Sequence, residues 1–201
     1  MWRRMRRWKW GWWRVVVGVA TLAGWAGCSQ PPTAETKDPA GGSTMKLTLS
    51  STAFQAGQTI PAKYTGEGAD VSPDLTWSGA PGGTAEFALI VDDPDAPSAE
   101  PWVHWVIYKI PAAAAGLKEG IPRAEAVNDP AGALQGKNSW NAVGYRGPLP
   151  PPGHGTHHYH FKLYALDQAL QVSAGLTKAK LLDATRGHVI AQGELIGTYS
   201  R

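Results

Sequence analysis

The stretch Gly147-Pro148-Leu149-Pro150-Pro151-Pro152-Gly153-His154-Gly155-Thr156 constrains this chain most, because it runs straight into ten alternating residues, His157–Leu166. Proline fixes φ and glycine permits tight bends, so such a loop can hold one shape and carry a site. Beyond it, a period of two puts His157, Tyr159, Phe161, Leu163 and Ala165 on one face. His158, His160, Lys162 and Tyr164 fall on the other. The first face is apolar after its opening pair, which places His157 and Tyr159 at the rim of a core. The opposite face reads as solvated.

The rest of the domain is also read as strands. Residues 45–51, where Leu47 and Leu49 alternate with polar neighbours, predict a first strand, and residues 64–68 another short extended piece. Ser72-Pro73-Asp74 bends into a strand at Leu75-Thr76-Trp77, closed by the turn Pro81-Gly82-Gly83. Ala85-Glu86-Phe87-Ala88-Leu89-Ile90-Val91 is nearly all apolar, the mark of a strand buried on both faces, and it delivers Asp92 and Asp93 at its end. In the next strand, 103–110, alternation groups His104 with Val106, Tyr108 and Ile110, and Trp105 with Val103 and Ile107. Residues 111–141 read as loop with at most a helical turn, long enough to carry function or pack over a sheet. Residues 176–187 form the one good helix, with Thr177 as N-cap, Leu181 and Leu182 as buried stripe and Gly187 as stop. A last strand spans 188–199. The tally is a mainly β, antiparallel architecture with short peripheral helices.

The basic balance of the chain, +3, misleads. Residues 1–27 hold six of the nineteen Lys and Arg and no acid, so the remainder carries 13 positive against 16 negative residues. A mildly acidic domain offers no nucleic-acid footprint. The first 27 residues read as an export signal: a basic segment, Arg3 to Arg14, before an apolar run too short to span a bilayer. The run ends at Cys28, the single cysteine, which has no internal disulfide partner. Ala26-Gly27-Cys28 resembles a bacterial lipobox, with Trp25 where an aliphatic residue is usual. The expected organisation is a lipoprotein signal at 1–27, a lipidated Cys28 and tether over 28–44, and a domain over 45–201. The implied location is a bacterial membrane, with the domain facing the periplasm or the cell exterior.

Two polar knots carry the chemistry: Asp92-Asp93-Pro94-Asp95-Ala96-Pro97 with His104, and His154 to His160. Three aspartates within four residues need partners or solvent. One of them orienting a histidine would make an anion-binding imidazolium. Alternation sends His157 away from His158 and His160, which argues against a designed metal site, and no HExxH pattern occurs. No Gly-x-Ser-x-Gly elbow, phosphate-cradling glycine loop or cofactor fingerprint is present, so neither cofactor nor catalysis is expected.

These motifs, with Gly144-Tyr145-Arg146-Gly147-Pro148 and the ending Gly187-His188-Val189-Ile190-Ala191-Gln192-Gly193, resemble the phosphatidylethanolamine-binding protein family. The nearer likeness is to its bacterial Raf kinase inhibitor-like branch, over residues 45–201. The resemblance implies an antiparallel β-sandwich with a small pocket for phosphate-like groups. Asp93 and Asp95 would be its acids, His104 its strand histidine, His157 and Tyr159 the ends of a His-Arg-Tyr element, and Gly147, Pro148 and the following prolines its rim. The middle residue of that element, usually arginine, is His158 here.

The expected function is an envelope-anchored, non-catalytic binding protein for a phosphate-containing or phospholipid head-group ligand. The alternatives are an inhibitor of a protease or kinase-type protein partner and a hydrolase using Asp93 and His104.

Overall fold

The structure is a computed structural model that describes residues 44–201. The expected signal segment, Cys28 and the tether up to residue 43 lie outside the described residues.

The strands are β1 (Met45–Lys46), β2 (Thr48–Ser50), β3 (Leu75–Ser78), β4 (Glu86–Asp93), β5 (Trp102–Pro111), β6 (Gly116–Leu117), β7 (Ala126–Asn128), β8 (Ala131–Gln135), β9 (His157–Leu166) and β10 (Val189–Tyr199). A 3₁₀ turn at Ala62–Tyr64 and one helix, α1 (Lys178–Ala184), complete the set. A seven-stranded sheet runs β1-β10-β9-β4-β5-β8-β7, and a three-stranded sheet β2-β3-β6 packs on it. All pairings are antiparallel except β1 with β10. The architecture is the mainly β, antiparallel one that the residues predict, arranged as the sandwich that the family resemblance implies.

β4 is the middle strand of the large sheet and every one of its residues is buried, as its continuous apolar run requires. Between the sheets, Leu49, Leu75, Trp77 and Leu117 of the small one meet Leu89, Val91, Ile107, Phe161 and Leu163 of the large one. The outer face of the large sheet has its own cluster, with Ile90, Val106 and Tyr108 under Leu166, Leu170 and Leu181. Each such buried side chain contributes about 1.5–3 kcal/mol of transfer free energy. β9 shows the expected alternation, with 157, 159, 161, 163 and 165 buried. On its other face only His158 is exposed, and the remainder is half-covered rather than solvated.

Several expectations change. The first strand is two: Leu47 breaks it, donating its N–H to the Gln192 carbonyl, so β1 joins the large sheet and β2 the small one. Residues 64–68 are not extended, because the 3₁₀ turn continues into turns closed by Tyr64, Thr65 and Gly68 N–H groups. Residues 111–141 contain β6, β7 and β8 and no helix. In α1 the Thr177 hydroxyl caps the Lys180 N–H as expected and Leu181 is buried, but Leu182 is exposed. Neighbouring residues on a helix lie about 100° apart, so a single contact line cannot bury both.

Candidate functional site

β5 carries two one-residue slips against β4, and the first creates the site. Val91 pairs with Trp105 and Asp92 with Val103, leaving His104 as the extra residue of a β-bulge. The second slip lies between Ile110 and Ile107 and contains Lys109 at φ 54°. Each slip reverses which face a residue meets. Trp102 and His104 therefore reach a cavity, Trp105, Ile107 and Ile110 the inter-sheet core, and Val103, Val106 and Tyr108 the outer cluster. The simple alternation that grouped His104 with Val106 and Tyr108 is overturned by this re-aiming.

His104 is 3 % exposed, and its Nδ1–H donates to the Arg146 carbonyl at 2.6 Å. Burial holds its pKa below the ordinary value of 6.5, only partly offset by that hydrogen bond and by the charge of Asp93. The ring is therefore neutral at pH 7. At the mouth of β9, His157 Nδ1–H donates to Asp93 Oδ2 at 2.7 Å, while the other Asp93 oxygen accepts the Asp95 N–H at 2.9 Å. His157 Nε2 lies 2.8 Å from His154 Nδ1. Both Asp93 and His157 are buried. Tyr159, one alternation further in, has a buried hydroxyl with no hydrogen-bond partner. Burial, then the charges of Asp93 and Asp95, push its pKa far above the ordinary 10.

Asp93, His104, His157 and Tyr159 converge on a cavity of about 260 Å³. Its remaining wall comes from Ala96, Pro97 and Ser98 after β4, from Trp102 and Trp140, and from Leu149, Pro150 and Pro151 of the proline loop. His104 meets Tyr159 and Trp140 edge-on, with ring centroids 5.1 and 5.2 Å apart, and Trp102 meets Trp140 the same way at 5.3 Å. Larger surface hollows of about 540 and 460 Å³ lie beside β1 and α1. The chemistry favours the smaller cavity: among the described residues the unpartnered buried side-chain atoms are Tyr159 Oη and Trp77 Nε1, and only Tyr159 lines a cavity.

Gly147 and Pro148 stand behind the rim rather than in the wall. The Gly147 N–H donates to Asp70 Oδ1 at 2.7 Å, and the Pro148 carbonyl accepts from Gly66. A Cβ at Gly147 would sit 2.1 Å from the Tyr64 carbonyl oxygen, so backbone passes there only as glycine. Asp70, held at φ 55°, also pairs with Arg123 and so anchors the loop from the opposite strand connection. Asp95 lies outside the wall as well. Its Oδ2 accepts from both His158 N–H and His158 Nδ1–H, at 2.8 and 2.7 Å. Burial alone would raise its pKa, but the His158 bonds prevail and hold it below the usual value. His158 thus braces the turn after β4 from the outer side.

The candidate residues leave out Trp102, Trp140 and Leu149: Leu149 lies within the proline loop and Trp102 two residues before His104, in stretches the sequence marks, whereas no local pattern marks Trp140. Asp70 escaped because nothing in its neighbourhood announces a positive φ. The hydrolase pair of Asp93 and His104 is not hydrogen-bonded: Asp93 engages His157, and His104 engages a carbonyl. The serines are likewise engaged with backbone, Ser98 donating to Glu100 O, Ser139 accepting from Val103 N–H, and Ser72 from Ile121 N–H. Among the described residues no group of three or more His, Cys, Asp or Glu is placed to hold a metal ion.

Fold and cavity together define a β-sandwich with a small cavity lined by acidic, imidazole and aromatic side chains. The family model for phosphatidylethanolamine-binding protein matches residues 50–200, and the chain belongs to that family. A UPF0098 protein of Methanothermobacter thermautotrophicus is 46% identical over 155 residues, covering 77% of this chain and 99% of the relative. LppC of Mycobacterium tuberculosis, which bears a lipoprotein name, is 41% identical over 153 residues, 76% of this chain and 72% of its own. The crystal structure of Escherichia coli YbcL, described as a member of the mammalian family, matches with a TM-score of 0.73 at 34% identity, covering 78% of this chain and 99% of YbcL. The family homologue CT736 of Chlamydia trachomatis matches at 0.70 and 38%, covering 79% and 99%.

Proposed function

We propose that the chain is a lipid-anchored, non-catalytic binding protein of the bacterial cell envelope whose cavity takes a phosphate-like group or a phospholipid head group. The observation that carries this is the Tyr159 hydroxyl, buried and without a partner beside the Asp93–His157 pair. An unpaired buried hydroxyl costs about 1–3 kcal/mol, which a ligand atom reaching it would offset. The Asp93 carboxylate suits an ammonium, the Tyr159 phenol O–H suits a phosphate oxygen, and a zwitterionic head group meets both. In this reading Asp93, His104, His157 and Tyr159 touch the ligand, while Asp95, Gly147 and Pro148 hold the loops around it.

The envelope location rests on Cys28 following an apolar segment, together with the lipoprotein name of the mycobacterial relative. Among the described residues no nucleophile is hydrogen-bonded to either cavity histidine, which supports binding over hydrolysis.

The test is isothermal titration of the purified full chain with phosphoethanolamine, alongside His157→Ala and Tyr159→Phe. Saturable heat that disappears in His157→Ala and weakens in the folded Tyr159→Phe protein supports the reading. No heat from the unaltered chain with any phosphate or head-group ligand overturns it and turns the search to a protein partner.

A further inference from the structure

His157 lines the cavity with both of its ring nitrogens already engaged by this chain. Its Nδ1–H is held by Asp93 at 2.7 Å, which fixes the ring and leaves Nε2 as the nitrogen that a ligand can meet. Nε2 is taken by His154 Nδ1 at 2.8 Å, with the two ring centroids 5.0 Å apart and the planes tilted by 55°. Two ring nitrogens approach this closely with one proton between them, and whichever ring carries it, that edge of His157 is closed. The wall around it is rich in donors. Tyr159 presents an unpartnered O–H, Trp102 and Trp140 bring indole N–H groups, and the Arg146 guanidinium lies 4.9 Å from the Trp140 centroid. Asp93 is the single acid among the wall residues, and both of its oxygens accept hydrogen bonds.

The two partners of His157 are held very differently. Asp93 is buried on β4 and has no room to turn away. His154 is exposed, stands outside the cavity wall and sits at the tip of the proline loop. The stem of that loop is stiff, pinned at Gly147 by Asp70 and fixed in φ by its prolines. The tip is not: His154 lies between Gly153 at φ 73° and Gly155 at φ 90°, both with open space around them. The backbone there is tied by the His154 N–H to the Pro151 carbonyl at 3.2 Å and by the Gly153 N–H to the Arg201 carbonyl at 2.9 Å. The His154 imidazole is held by its bond to His157, and an exposed side chain changes rotamer in picoseconds to nanoseconds once such a bond opens.

We propose that His154 is a displaceable cap: its ring nitrogen stands where a phosphate oxygen binds His157, and ligand entry turns it out to solvent. The inference rests on the phosphate-group reading above and adds a residue that sets its affinity. Released from His154 and carrying a proton, Nε2 of His157 donates to the ligand alongside the Tyr159 O–H. In the ligand-free protein the cap satisfies a buried nitrogen that would otherwise lack a partner. That bond must break before the ligand's can form, so the cap weakens binding.

The experiment titrates the purified full chain, His154→Ala and His154→Asn with phosphoethanolamine and inorganic phosphate, and adds flotation with phosphatidylethanolamine vesicles. His154→Ala is expected to bind the soluble probes about fivefold more tightly than the parent, the worth of one hydrogen bond that no longer has to break. His154→Asn, whose amide nitrogen can stand at the Nδ1 position, is expected to return to the parental affinity. Imidazole nitrogen–proton correlation spectra of the parent are expected to lose the shared His154–His157 signal on saturation with phosphoethanolamine, His154 taking the shifts of a ring in water. Greater vesicle capture of His154→Ala supports the phosphate group in its lipid form, and a gain confined to the soluble probes supports the same group from a soluble source. Parental binding that His154→Ala leaves equal or weakens, or a His154 signal unmoved by saturating ligand, overturns the cap and leaves the phosphate reading standing. Silence of all three proteins with every probe removes both.

Discussion

Asp92 and Asp93 are consecutive residues of β4, both buried, and strand alternation sends them to opposite faces of the same sheet. Asp92, fully buried, is met by two lysines, Lys162 of β9 and Lys178 at the start of α1. Asp93 is met by one imidazole and one backbone N–H. The outer carboxylate is thus more than neutralised, and it pins helix to sheet. The cavity carboxylate has no lysine or arginine partner. Identical chemistry one residue apart becomes a brace on one side and a receptive site on the other, and the difference lies in the partners that neighbouring elements bring.

The sharpest way to break this comparison is Asp92→Ala, which strands two lysines. Their side chains are 32% and 23% exposed and can turn to water, so the loss is placed below the full penalty for a buried pair, at about 2–3 kcal/mol. Urea denaturation reads it, and ligand affinity should stay within twofold; a parallel collapse of binding would mean the faces are not independent. Asp93→Asn reverses the pattern. A loss of about 1–2 kcal/mol in stability should accompany at least a tenfold loss of phosphoethanolamine affinity, measured by titration.

Tyr159→Phe sharpens the contrast through its sign. Removing a hydroxyl that has no partner should leave the melting temperature unchanged or slightly raised while ligand affinity falls several-fold. A clear drop in stability would instead reveal a hidden partner for that hydroxyl.

The smallest effect is on pH. The folded-state pKa of His104 is depressed, so its neutral ring favours folding above the unfolded-state value and this contribution is lost as pH falls below about 6.5. Glu86 works in the opposite sense: burial raises its pKa despite the Leu170 N–H and Lys109, so its protonation favours the fold as pH falls through the acid range. Melting curves should therefore decline below pH 6.5 in the parent chain, and His104→Asn should show a shallower decline.

β9 was legible because ten residues alternate without interruption and its buried face is strongly apolar. β5 was not, since a bulge leaves no mark in composition and only its pairing with β4 shows which residue is extra. The strands within 111–141 were hidden by brevity. β6 has two residues and β7 three, and in β7–β8 only Val127, Ala133 and Gln135 are buried, too few to set up a period. In the site, Asp93, His157 and Tyr159 could be placed from strand phase and the family likeness. Trp102 and Trp140 reach it through a bulge and a loop, whose positions are fixed by contacts distant in sequence. Asp95 was a natural candidate by adjacency, yet its acceptor oxygen turns outward to His158.

The two slips of β5 have a consequence for how the strand can change over generations. Each is worth one residue of phase, and together they cancel, so Ile110 returns to the side it would occupy in an unbroken strand from His104. Flattening either slip without removing a residue would exchange the inside and outside of the residues between them, Trp105 to Tyr108 included, whereas removing the extra residue itself leaves every other pairing as it is. Single-residue gaps in this strand should therefore be tolerated best by the fold where they remove an extra residue, at His104 or at Lys109, the first of them at the expense of the cavity, and worst at Val106 or Ile107 between them, which a deletion library spanning residues 103–110 would display.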